Sequence, residues 1–513
     1  MASIDNKTSR IAKNTLMLYI RMLFVMAISF FTSRVVLQSL GVEDYGIYNV
    51  VGGFVSLFAV VSSALTGACT RFLNYEMGKG ERGKLDVVFS TTLTVQSSLA
   101  IIVLILTESI GLIYLNNYMV IPSLRLSAAN WVFQFSILTF CLDLITVPYT
   151  AAIIAHEQMN VFAYVSIIES VFKLIIAYAI IISPIDKLVF YALLLCVLKL
   201  LIQSAYRFFC KRNFPECIYH FVVDKSLLRQ IFGYTGWHLI GNSATVLKNQ
   251  GVDIILNAFY GPIVNAAKGV ANQVLSAVSG FAGNFMIALN PQITQSYSSG
   301  DRDYMVNLVY KGSRFSYYIL MIISLPVIIE SEYLLHIWLV DVPPYSVPFV
   351  QLSLLSTLVS ALSSPLMTAQ NATGQVKIYQ IVVGSVMLLN LPLSYLFLKI
   401  GCSPIFVLIV GVCVELACLI ARLIIIPHYI LEFKLKDYVI KVVFNCFGLT
   451  LVSAIIPIIL FILLKKTFLT FVLVSVISIG ISSTLIFFFG CDVDERVFVL
   501  GKVNAFKKKI FGK

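Results

Sequence analysis

The chain is a succession of apolar runs about twenty residues long, separated by short polar breaks. A bilayer's hydrocarbon core is crossed by a helix of about 20 residues. In lipid every backbone N–H and C=O must be satisfied within the segment or by a closed barrel, so runs of this length dictate helices. Read this way, the 513 residues hold fourteen spans. They lie at roughly 14–38, 45–70, 85–110, 127–154, 161–183, 187–209, 229–258, 264–290, 305–330, 346–370, 377–399, 403–426, 438–463 and 468–490. Composition agrees: 12% of residues are charged and mean hydropathy is +0.91, where soluble domains carry about 25% charge. The expected fold class is an all-α polytopic membrane protein. Residues 7–13 (KTSRIAK) and the apolar run behind them resemble a signal peptide. That run passes Arg21 and reaches about Thr32 with no small-x-small cleavage site, so it reads as a retained first span.

Charge sets the expected orientation. With the N-terminus inside, 25 of the 37 Lys and Arg fall in cytoplasmic segments, five in outer segments and seven within spans. Such a bias puts both termini in the cytoplasm and agrees with an even number of spans. The net charge of +12 therefore marks cytoplasmic loops and gives no sign of a nucleic-acid partner.

The stretch Tyr260–Arg302 echoes residues 40–82 at an offset of 220, with no gap. Gly41 corresponds to Gly261, and Gly80-Glu81-Arg82 to Gly300-Asp301-Arg302. Helical spacing lines up Asn265, Lys268, Asn272, Ser276, Ser279 and Gly283 on one polar, small face, and Tyr45, Tyr48, Gly52, Ser56, Ala59 and Ser63 on its counterpart. Pro148…Gln158 likewise echoes Pro365…Gln375. The expected organisation is two six-helix bundles in parallel pseudo-repeat (1–210 and 229–430) joined by a cytoplasmic linker (211–228). Two further helices and a basic tail (431–513) follow.

Familiar enzymatic and metal signals are missing. Gly78-x-Gly80-x-x-Gly83 has the letters of a dinucleotide fingerprint but follows a membrane span, where the motif needs a strand, so it reads as a turn. There is no P-loop and no C-x-x-C, and the five histidines are scattered. No catalytic residue, metal or cofactor is expected, and the ten cysteines read as buried inert thiols.

The intramembrane charges are the informative residues, because each costs a few kcal/mol unless paired or hydrated. They are Arg21, Arg34, Lys173, Lys199, Lys248, Lys268 and Arg422 against Glu108, Asp143, Glu169, Asp253 and Glu415. Glu169 and Lys173 are four apart and can neutralise each other. Arg422 is one turn from a span end and can snorkel. Asp253 lies within two turns of a span end. Lys199 has no adjacent acid on its own helix, and Lys248 shares its span with His238, Asn242, Thr245 and Asn249. The seven-to-five excess of bases suits an anionic substrate, above all a phosphate. Lys248, Lys268, Arg34, Lys199 and Asn272 are the candidate substrate contacts, and Asp143 and Glu169 the candidate ion-coupling groups.

Gly261-Pro-Ile-Val-Asn-Ala-Ala-Lys-Gly-Val-Ala-Asn-Gln-Val, Asn290-Pro-Gln-Ile-Thr-Gln-Ser-Tyr and Gly300-Asp resemble the second-half signature of Wzx-type oligosaccharide flippases. Leu40-Gly-Val-Glu-Asp-Tyr-Gly-Ile-Tyr-Asn resembles their first half. These flippases form the polysaccharide transporter family of the multidrug/oligosaccharidyl-lipid/polysaccharide exporter superfamily. The resemblance runs span for span over nearly the whole chain. It implies two bundles around a V-shaped cavity that flip undecaprenyl-diphosphate-linked sugar units across the bacterial inner membrane by alternating access, for O-antigen, lipopolysaccharide or capsule assembly. It implies a lipid-linked oligosaccharide as substrate, contact with membrane lipid, and polysaccharide-assembly proteins as partners. The family has no short invariant catalytic motif, so no ligand residue is carried over from it. The alternative is an ion-coupled multidrug antiporter of the same superfamily, which would favour acids in its cavity. A polymerase or ligase would need a large outer loop, and the outer loops here are short. A scaffold within a glycan-assembly complex is the remaining class.

Overall fold

The computed structural model describes residues 2–497 except 59–68, 70–72, 74–81, 157, 223–224, 376 and 494. Within its helices, side chains are described outside 2–21, 82–84, 154–155, 159, 162–163, 225–227, 229–243, 287–288, 291, 295 and 298. The anticipated roles of Ala59, Ser63 and Gly78–Gly83, the side chains of Arg21, His238 and Asn242, and most of the basic tail thus lie outside the described residues.

All regular structure among the described residues is helical. The long helices are α1 (Ala2–Ser56), α2 (Arg82–Leu106), α3 (Leu126–Ala155), α4 (Met159–Ala179), α5 (Lys187–Asn213), α6 (Lys225–Tyr260) and α7 (Pro262–Ser298). They continue as α8 (Arg302–Ile329), α9 (Ser346–Ala372), α10 (Lys377–Leu388), α11 (Asn390–Lys399), α12 (Ile405–Ile425), α13 (Asn445–Leu463) and α14 (Phe468–Leu485). Eleven helical segments among the described residues are long and apolar enough to cross a membrane. The polar helices α6 and α7 and the arm of α1 beyond Gly41 account for the other expected spans, so about fourteen membrane helices fit.

The repeat is visible in the backbone. Gly41 breaks α1 at φ +81°, and Gly261 separates α6 from α7 at φ +72°. Both lie in the left-handed region that glycine enters without a Cβ penalty, and Gly300 turns between α7 and α8 at φ +84°. Pro148 and Pro365 each sit two turns before the end of their helices, α3 and α9.

The chain divides into two compact units. One comprises residues 1–270, 338–346 and 387–407; the other comprises 271–337, 347–386 and 408–513. In the first, α3 lies along α5, α1 along α4, and α2 along α3. Its core is built from Ile47, Val50, Val51, Val132, Phe133 and Leu188. Helix starts are pinned by polar caps: Asp186 accepts from the N–H of Leu188 (3.1 Å) and Val189 (3.2 Å) at α5. The same carboxylate takes the Arg125 guanidinium at 2.6 Å, and Arg125 also donates to Asp44 at 2.5 Å, which ties three chain segments together. The linker after α5 is docked on its own bundle through its first residues. His156 pairs with Glu216 and stacks on Phe214, and the His220 N–H donates to Ser90 Oγ at 3.2 Å.

In the second unit α13 and α14 pack on each other and on α8. An ion cluster, buried at Arg314 and Glu495, joins α8 to the segment after α14. Arg314 meets Asp492 at 2.9 Å and Glu495 at 3.2 Å, and Lys311 meets Glu495 at 3.3 Å. Arg422 corrects one expectation. It does not snorkel: it is 2% exposed and donates to Tyr379 Oη (3.0 Å) on α10 and Ser363 Oγ (2.9 Å) on α9.

Candidate functional site

Two polar clusters lie on either side of the second arm of α1. Its residues Tyr48, Gly52 and Ser56 fall on one face, as the helical spacing predicts, and line a cavity of about 270 Å³ inside the first bundle. Its residues Gly46, Asn49 and Gly53 fall on another face and meet α6 and α7.

The cavity holds Asp143 and Lys199, which form an ion pair between α3 and α5. Glu169 and Lys173 pair at 2.8 Å along α4. Asp143 also interacts electrostatically with Glu169 and Lys173, so the four charges act as one group. Ser136 and Thr139 complete the polar lining. The two candidate coupling acids therefore face two lysines, and the pocket is charge-balanced where a basic one was expected. Lys199, expected among the substrate contacts, belongs to this group, and none of Lys248, Lys268 and Arg34 lines the cavity. The sequence could not show this pairing, because Lys199 finds its acid on a neighbouring helix.

The second cluster is built by close helix approach. Gly46 abuts the Pro262 carbonyl, and Gly269 faces the Asn49 amide, 2.7 Å from where a Cβ would stand. Small residues let helix backbones come together where larger ones would separate them. Gly53 lies against Gln250 Oε1 and Asp253 Oδ2, at 3.1 Å and 3.7 Å from its Cβ position. Asn265 Nδ2 donates to the Asp253 carbonyl at 2.7 Å and joins α7 to α6. Half-buried Lys268, one turn along α7, is the electrostatic neighbour of Asp253 and of half-buried Lys248. Lys268 thus has Asp253 and Lys248 as electrostatic neighbours, and Asp253 lies where α1, α6 and α7 pack. The sequence presents Asp253 only as a residue near a span end; its spacing of five from Lys248 hides that its partner is on the next helix. Arg34 is half-buried on the first arm of α1, and Asn272 is exposed on α7.

Fourteen or so membrane helices, with polar faces turned onto buried charges, define a polytopic membrane-protein architecture. The chain belongs to the family described as "Polysaccharide biosynthesis protein", whose model matches residues 11–297. The MatE family model matches residues 240–396. The curated protein "Uncharacterized membrane protein EpsK" of Bacillus subtilis is 19% identical over 284 residues, 55% of this chain. The match spans 56% of that relative's length.

Solved structures share the fold. "Lipid II flippase MurJ, inward closed conformation" matches with a TM-score of 0.70 at 12% identity, covering 92% of this chain and 99% of that one. The MATE multidrug transporter DinF-BH matches at 0.62 and 16% identity, over 82% and 97% of the two chains. A MOP superfamily transporter from Pyrococcus furiosus, described as having a binding pocket of reverse polarity, matches at 0.57 and 12% identity, over 80% and 94%. These neighbours are transporters and flippases, not enzymes.

Proposed function

We propose that the protein flips a polyprenyl-diphosphate-linked oligosaccharide, of the kind carried by Wzx-type flippases, across the bacterial inner membrane by alternating access. The observation that supports this reading is that Lys268 of α7 has Lys248 of α6 as an electrostatic neighbour, where α1, α6 and α7 pack closely. Two cations at membrane depth suit a diphosphate, which keeps its charge where a sugar alone has none. Arg34 extends the substrate path, and the glycan chain is destined for O-antigen, lipopolysaccharide or capsule. The family description and the likeness to a lipid II flippase support a lipid-linked substrate. Both termini face the cytoplasm in this account, on the strength of the Lys and Arg distribution. Polysaccharide-assembly proteins are the partners it implies.

Replacing Lys248 or Lys268 by Glu is expected to abolish surface glycan in the source bacterium while protein level stays normal. Unchanged glycan in both variants would reject the cluster as the substrate site.

A second reading has one observation in its favour. The cavity of the first bundle holds Asp143 and Glu169, and the MatE model matches part of the chain. In a drug antiporter these acids would exchange a cation for a cationic drug. In the flippase reading they couple an ion gradient to glycan movement. Sensitivity of glycan export to collapse of the proton and sodium gradients, with no change in resistance to cationic drugs, separates the two in favour of the flippase.

A further inference from the structure

Asp253 is an acid with a purpose that the flippase reading has not used. Its residue is 9% exposed, and Oδ1 is buried with no hydrogen-bond partner. Asn265, which fixes the Asp253 carbonyl, is 2% exposed and has its own Oδ1 buried without a partner. A buried, unsatisfied carboxylate oxygen is expensive. It is tolerated here because positive charge is near: Lys268 acts on Asp253 from α7, and Lys248 acts on Lys268 from α6. Among the described residues, Lys268 is the charged group that acts on Asp253, and the groups at the neighbouring glycine contacts are uncharged. Helix α1 offers Gly53 and Asn49, α6 offers Gln250, and Leu391 of α11 packs at Gly251. A lysine acting on the carboxylate argues against a metal cation there, because the two positive charges would repel.

We propose that Asp253 is the internal counter-ion of Lys268, and that an anionic ligand displaces it in this role, with Asp253 Oδ1 taking up one proton from water as the ligand's phosphate engages the lysine. The inference rests on the reading of Lys248 and Lys268 as phosphate contacts. It adds that anion and proton enter together. The balance is simple: the diphosphate's negative charge takes over at Lys268, one proton passes from water to Asp253 Oδ1 with the hydroxide taken up by the buffer, and no bond other than O–H forms. A site built this way balances the charge of Lys268 when empty. It rejects neutral sugars, which cannot replace the carboxylate's field at Lys268.

Calorimetric titration of the purified full-length protein in detergent tests this, with farnesyl diphosphate as probe at pH 8. It is run in two buffers of different ionisation heat. The wild type is expected to take up close to one proton per diphosphate bound. Asp253→Asn should bind at least as tightly with no proton taken up, and Asp253→Glu should restore uptake. Binding in the wild type without uptake, uptake that persists in Asp253→Asn, or a tenfold loss of affinity in that variant would each overturn the proposal. If Asp253→Asn does not fold, the wild type and Asp253→Glu decide by the same reading. Lys268→Ala keeps the two levels apart. If it leaves farnesyl diphosphate binding intact, the phosphate-site reading fails. If it abolishes binding while the wild type takes up no proton, that reading stands and only the counter-ion role falls.

Discussion

Gly46→Ala probes the contact that sets the second cluster. Gly46 stands on α1 against Pro262, the first residue of α7, and an added Cβ would fall inside the van der Waals envelope of the Pro262 carbonyl. That oxygen is backbone and has no rotamer in which to escape. The helices must separate by about an ångström to restore an ordinary contact, and overpacking of this kind costs about 1–3 kcal/mol. Alanine returns about 0.5–1 kcal/mol of helix preference over glycine, so a net loss of roughly 1–2 kcal/mol is expected. The internal control is Gly52→Ala on the same helix, where a Cβ meets nothing within 4 Å. Thermal unfolding of the two variants in one detergent should place Gly46→Ala below the wild type and Gly52→Ala at or above it. Separation of α1 from α7 also moves Lys268, so Gly46→Ala should bind farnesyl diphosphate more weakly than Gly52→Ala. Equal stability and equal binding in the two variants would refute the close-approach argument.

Three further outcomes follow from the charges. Arg314→Leu leaves Glu495, 9% exposed, with Lys311 as its remaining cation; stability should fall by roughly 2–4 kcal/mol, toward the range for a broken buried pair, and the segment after α14 should become sensitive to protease. In the same cluster the hydrogen bond from Arg314 holds the Asp492 carboxyl below its usual range. A depressed folded value gives stability that is present above the unfolded value and lost as pH falls through the folded one, so protease release of that segment should rise below about pH 4 and be insensitive to pH from 5 to 8. Exchanging the ion pair of the first-bundle cavity, Asp143→Lys with Lys199→Asp, should recover most of the expression and stability that each single change loses; doubles no better than the worse single would mean that the pair does not interact.

Much of the architecture is written in periodicity, which sequence displays directly. The apolar runs locate the helices, and the offset of 220 aligns Gly41 with Gly261, both of which adopt positive φ. The face containing Tyr48, Gly52 and Ser56 is legible for the same reason, and it lines the first-bundle cavity. What periodicity cannot give is the neighbouring helix. Lys199 stands alone in the sequence and is paired with Asp143 from α3. Arg422 is close enough to a span end to reach water, yet Tyr379 and Ser363, 43 and 59 residues away, hold it inside. Arg314 lies inside the run 305–330, and its acids stand 178 and 181 positions later. Asp253 is easily missed because its interaction runs to Lys268 across the α6–α7 turn. In each case the identity of one helix face is readable and its partner is not.

In the proposed function a lipid-linked oligosaccharide crosses the membrane through this protein by way of Lys248 and Lys268. Reconstitution into liposomes loaded with a fluorescent polyprenyl-diphosphate oligosaccharide measures that directly, with the outer-leaflet fraction read by an impermeant quencher. The account predicts that wild-type protein moves the labelled lipid between leaflets, and that Lys268→Glu moves it no faster than protein-free liposomes. Equal rates for wild type and Lys268→Glu, or no movement above the protein-free rate with wild type, would contradict it.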